Sequence, residues 1–488
     1  MEGCRNPGPS ANTPGRRTVI AMTTPRHYQL FSLNRTADFH QFDKRPAAHQ
    51  LGVVVGFVVA SGALSLSVIV VPLAASHTDT FIANMPYLLV SKPVTCAIIG
   101  LWTMSAISTF TKLPASWRRT LPIMFLFATV ALLFNVATFY MGFFPVPFST
   151  VFLAGCLMPV ALPAMYFIIP EQWRREDPVF RIHVKITLVN LAIAASFFFV
   201  YVAFRLLFIF LRFNVALQSC STILLQLIRY TWLQINARLS HITQPDAGAI
   251  GSWPCFYMHA VFVSACLDES TTMTVMVCVI ASDIVVAVYH VTSLSMEFAG
   301  IVAKVKRTGS ARLRRVTASL SQIANGSKAV SKNEASGRGD GDDNNDAVVV
   351  SSDHQFTAHE FRRARLQACE MMVLQELAKF SAAIHFMAFL SFGYLAYNRT
   401  GFWVIDTMTT EDFEATSVAL AVTVGAETVL AIFVWLFVKR AFHVDLLHLV
   451  HFSITRHFLY MTTAVGAWFI NLIFVAYLKD DGFNLWSD

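Results

Sequence analysis

Residues Leu51–Ala75 read LGVVVGFVVASGALSLSVIVVPLAA, without one charged side chain. At about 1.5 Å of helical rise per residue, such a run is long enough to cross the roughly 30 Å of a bilayer's hydrocarbon. The preceding fifty residues are polar and basic, with Arg5, Arg16, Arg17, Arg26, Arg35, Lys44 and Arg45. A long apolar run behind a basic leader reads as a signal anchor, not as the short hydrophobic core of a cleaved peptide.

The same kind of run recurs downstream. Apolar stretches occupy Pro93–Thr111, Leu121–Phe143, Phe148–Ile169, Ile186–Leu211, Thr272–Leu294, Ala378–Tyr397, Ala415–Val438 and His457–Leu478. Together they predict an all-α, polytopic transmembrane helical bundle of about nine spans. Composition agrees: 55% of the 488 residues are hydrophobic and 42 are Phe. Charged residues make up 14%, against about 25% in soluble domains.

Charge in the connecting segments sets orientation. Lys and Arg concentrate before the first span, after the second (Lys112, Arg118, Arg119) and after the fourth (Arg174, Arg175, Arg181, Lys185). They recur after the sixth (Lys304, Lys306, Arg307, Arg312, Arg314, Arg315) and the eighth (Lys439, Arg440). The segment between spans 7 and 8 is acidic, with Asp406, Glu411, Asp412 and Glu414. By the positive-inside rule the N-terminus is cytoplasmic and the C-terminus outside. The +7 net charge thus belongs to membrane topology; no nucleic-acid motif accompanies it.

Residues 213–271 leave two alternatives. The segment mixes Ile223, Leu224, Leu225, Leu227, Ile228, Trp232 and Leu233 with Gln218, Gln226, Arg229, Gln234 and Arg238. It reads as an interfacial amphipathic helix, which keeps nine spans, or as a crossing with Trp253–Leu267 as its return, which makes eleven. Nine is preferred because of the polar residues.

Four parts follow. Residues 1–50 form a basic cytoplasmic tail, expected to be disordered, and 51–303 a six-span block. Residues 304–370 form a cytoplasmic loop, and 371–488 a three-span block. The loop's centre, Asn325–Asp346, has almost nothing to bury and is expected to be disordered. Its flanks have helical patterns expected to extend the adjoining spans. The two blocks show no internal repeat.

Ionisable residues within apolar spans are the functional candidates. Asp283 lies in the middle of its span, where a charge costs about 2.5–3.5 kcal/mol on insertion scales. His290 is seven residues on, on the same helical face. Glu427 sits midway along its own span, so it shares the depth of Asp283. If their helices are neighbours, the two acids can share a proton or bind a cation. His385 joins His290 as the candidate continuation of a proton path. Each of these residues equally suits a structural, hydrogen-bonded role. Asn135, Asn190 and Asn471 are expected to link helices by hydrogen bonds, and Lys92 and Arg205 to snorkel from span ends.

Other motifs are weaker. Asp445, His448 and His451 share a broad helical stripe, but lack the four-residue His spacing usual for zinc on a helix; no metal or other cofactor is predicted. Thr317, behind Arg314 and Arg315, is a phosphorylation candidate. Asn398, in Asn-Arg-Thr, is a glycosylation candidate on the outer side. The eight Cys residues form no disulfide or CxxC framework.

The leading expectation is a proton- or cation-coupled transporter or channel acting on a small solute or ion in a lipid bilayer, the plasma membrane by default. The alternative is a receptor-like or scaffolding signalling protein reporting through its cytoplasmic loop. A lipid-modifying enzyme using His385 or the His443–His451 segment ranks third, because no nucleophile or metal set accompanies those residues.

Overall fold

The structure is a computed structural model. It describes residues 38–39, 41–67, 81–111, 116–142, 153, 163–171, 178–243, 248–268, 274–275, 277–289, 292, 352–395, 405–406 and 408–476. His290, Thr317 and Asn398 lie outside them, as do the centre of the 304–370 loop and most of the Phe148–Ile169 run.

The described chain is all-helical. In order come α1 (Ala47–Ser67), α2 (Phe81–Pro86) running through a π turn into α3 (Lys92–Thr111), and α4 (Trp117–Tyr140). Then follow α5 (Pro178–Phe210), α6 (Val215–Thr243), the short α7 (Gly248–Gly251) and α8 (Trp253–Asp268). A helix over Val277–Tyr289, here α9, precedes α10 (Ser352–Leu395), α11 (Thr410–Phe442) and α12 (Leu446–Ala476). Seven helical segments are long and apolar enough to cross a membrane. They include Ala249–Cys266, which the nine-span expectation left out. The chain therefore has the build of an integral membrane protein.

The exterior is what a bilayer demands. Large apolar side chains face outward, among them Phe125, Leu133, Val285, Val429 and Phe433, each at least 61% exposed. In water this surface would be a severe liability; in lipid it costs nothing. The interior is organised around α8, where residues 253 to 266 are all buried. α8 packs against α10, α12, α5, α6 and α11. The Trp253 indole N–H ties it to α12 by donating to the Met461 carbonyl at 3.2 Å. α12 also runs along α1 and α3. A Cβ at Gly62 would come within 2.9 Å of the His385 ring, so glycine is what lets α1 approach α10 there.

α6 is inverted relative to a soluble amphipathic helix. Gln218, Thr222, Leu225, Arg229, Trp232 and Asn236, at steps of three or four residues, are buried. Leu217, Ile223, Leu224, Leu227 and Tyr230 are exposed. Its polar stripe faces the bundle and its apolar stripe faces outward.

Several expectations need correction. Residues 38–39 and 41–50 of the tail are described and pack on the bundle: Arg456 on α12 donates to the Asp38 carboxylate, and Lys44 pairs with Asp445 at 3.2 Å. The helical flank expected to extend the seventh span is longer than its pattern suggested, because α10 is helical from Ser352 to Leu395. Lys92 and Arg205 do not snorkel. Both are buried, and the Lys92 ammonium lies 5.5 Å from the centre of the Tyr87 ring, so an aromatic face replaces part of its hydration. Asn471 donates to Ala467 of its own helix at 2.6 Å instead of bridging two helices.

Candidate functional site: a charge cluster at the helix centres

Asp283 and Glu427 come together, and they do so around a cation. Lys379 of α10 places its Nζ 3.2 Å from Glu427 Oε2 and 3.8 Å from Asp283 Oδ2. The same ammonium lies 3.6 Å from Glu376 Oε1, one turn back on α10. The two carboxyls thus share one ammonium. Arg229 of α6 sets its Nη1 3.8 Å from Asp283 Oδ1. Between them sits Gln226, whose Nε2 donates to Asp283 Oδ1 and to Ser282 Oγ, both at 3.2 Å. Its Oε1 accepts from Arg229 at 3.4 Å.

None of the five charged residues is more than 8% exposed. Arg229, Asp283, Lys379 and Glu427 each fall near the middle of their helix. Buried charges persist only when paired and hydrogen-bonded, since taking an ion out of water costs several kcal/mol even after relaxation. Here the pairing is incomplete. Three carboxyl groups (Asp283, Glu376, Glu427) face two permanent cations (Arg229, Lys379), so the fully ionised cluster is one positive charge short.

His259 of α8 adjoins the cluster and interacts electrostatically with Arg229, Asp283 and Lys379. Its Nδ1 is 3.1 Å from the Tyr201 hydroxyl on α5, and among the described residues its Nε2 has no partner. His385 lies apart from the cluster. Its Nε2 is 2.9 Å from the Val58 carbonyl, which can only accept, so that nitrogen carries the proton. Its Nδ1 then accepts from the Tyr257 hydroxyl at 2.8 Å. Both ring nitrogens are thus engaged in joining α1, α8 and α10, and among the described residues no contact carries His385 to Glu427.

Asp445, His448 and His451 have other occupations than holding a metal. Asp445 pairs with Lys44, and Phe39 and Phe42 lie against the His448 ring at 5.1 and 5.6 Å. His49 meets His451 edge-on at 5.5 Å. Burial holds both imidazoles below the usual histidine range; for His451 the nearby His49, His448 and Arg45 add to the effect. Among the described residues, no three His, Cys, Asp or Glu side chains converge as a metal site.

Sequence reasoning missed Lys379, Glu376 and Arg229. Starting the seventh span at Ala378 placed Lys379 at its edge. In α6 the signal was present: Gln226 and Arg229 lie three residues apart on the stripe that the fold buries.

No known family model, curated protein or solved structure matches this chain.

Proposed function

We propose that the protein is a multi-pass membrane transporter or channel in which the Asp283–Glu427–Lys379 cluster binds a proton or small cation during its cycle. The observation that carries this reading is the charge imbalance. A buried cluster one positive charge short is neutralised by one mobile cation, and a proton shared between the Asp283 and Glu427 carboxyls suffices. Releasing that cation leaves an unbalanced charge in a low-dielectric interior, which favours helix rearrangement or its rapid replacement. A coupling site has this property; a fully paired structural lock does not. The five charged groups come from α6, α9, α10 and α11, so a change in occupancy acts on four helices at once.

The same cluster supports eleven crossings with a cytoplasmic N-terminus. Arg229, at the centre of α6, reaches Asp283 at the centre of α9, and α6 turns its apolar stripe outward. A helix lying in the interface would present its polar stripe to water and could not place its midpoint at mid-membrane depth. The partners in this reading are the lipid bilayer and a small solute or ion, with the plasma membrane as the default location and no enzymatic step.

The test is flux into proteoliposomes under imposed proton, sodium and potassium gradients. Wild type is expected to dissipate at least one gradient, and Asp283→Asn and Glu427→Gln to lose that flux while still reconstituting. Equal flux in wild type and both variants, or a wild type silent under all three gradients, would overturn the proposal.

A further inference from the structure

A second polar feature lies away from the charge cluster. Trp102 and Phe110 of α3, Asn190 of α5, Trp232 and Asn236 of α6 and Tyr460 of α12 line a cavity within the helical bundle. Counting its mouth, it encloses about 280 Å³, and the enclosed part has room for about one water molecule. Among the described residues, Asn190 Oδ1, Asn236 Oδ1 and the indole N–H groups of Trp102 and Trp232 have no hydrogen-bond partner. Asn236 and Trp232 are 2% and 0% exposed. Leaving such a group unpaired in a protein interior costs about 1–3 kcal/mol, so four around one cavity are a demand for a ligand.

The chemistry of the lining selects the ligand. No charged side chain borders the cavity, so an ion would enter without a counter-charge. Two carbonyl oxygens require a molecule that donates twice, and two N–H groups require that it also accept twice. The volume excludes anything much larger than a single heavy atom. We infer that this cavity is a binding site for one ordered water molecule, which donates to Asn190 and Asn236 and accepts from Trp102 and Trp232. The site couples α5 to α6 independently of whether the charge cluster carries ions.

Radiolytic hydroxyl labelling of the full-length protein in detergent, read by mass spectrometry, tests this. Radicals formed from a trapped water oxidise the side chains around it even where bulk solvent does not reach. Trp253 is an internal control, because it is equally buried and its N–H is already bonded to Met461. Trp232 is expected to label several-fold faster than Trp253, and Asn236→Leu to bring Trp232 down to the control rate. Asn190→Leu is the substitute if the first variant fails to fold. Equal rates at Trp232 and Trp253 in wild type, or a Trp232 rate unchanged in a folded variant, would overturn the assignment.

Discussion

Removing Lys379 should do far more damage than removing one of the acids it holds. Its ammonium is within 3.8 Å of three carboxylates, and Arg229 is within salt-bridge distance of Asp283 alone. Lys379→Met leaves three acids against one cation and strips Glu376 and Glu427 of their cationic partner. Breaking a buried pair by deleting one member costs about 3–5 kcal/mol, because the remaining charge stays uncompensated. Glu427→Gln moves the balance the other way, to two acids against two cations, and keeps a group that can accept from Lys379; its expected cost is within about 1 kcal/mol. The double variant should recover part of the loss, with a coupling of about 0.5–3 kcal/mol between the two positions. Thermal unfolding of the purified protein in detergent, run as a double-mutant cycle at one pH, measures all three quantities. The reasoning fails if Lys379→Met costs no more than Glu427→Gln, or if the two changes add without coupling.

The contact between the tail and α12 should weaken in acid. Burial holds His448 and His451 below the usual histidine range, so the undocked state binds more protons. Docking is then complete above about pH 6.5, the free imidazole value, and is lost as pH falls below it. Hydrogen exchange of residues 41–50, corrected for intrinsic rates, should show less protection at pH 5.5 than at pH 7.5, and constant or rising protection would refute this. For the topology, a cysteine placed at Asp246 on a background cleared of the native thiols should be modified by an impermeant reagent from the cytoplasmic side. Modification from the outside would favour nine spans over the proposed eleven.

The all-helical bundle was legible in the sequence because apolar runs of bilayer length have few other uses. The runs around Leu51, Leu121, Ile186 and Ala415 each became a helix, and the structure added polar turns at their ends. What the runs could not reveal is where a span stops when its interior is charged. A hydropathy profile ends a span at the first cluster of charges, so it cut the seventh span at Ala378, which left Lys379 at the membrane edge and Glu376 in the cytoplasmic extension of that span. It also judged α6 by the number of its polar residues instead of their phase. Gln218 and Arg229 were counted against a crossing, although both lie on the stripe that the neighbouring helices cover.

These two errors have one origin, and it bears on the site itself. Asp283 and Glu427 stood out because each is a lone acid in an apolar run, and their solvation cost demanded partners at the same depth. A carboxylate at a helix centre is tolerated when a cation meets it there, so two mid-span acids imply basic residues in other helices. Residues at the edges of spans and in segments counted too polar to cross are where such partners are found. Arg229 comes from one such segment and Lys379 from the edge of a span. Where buried acids have no visible partner, the segments that fail a hydropathy test are the first place to look for one.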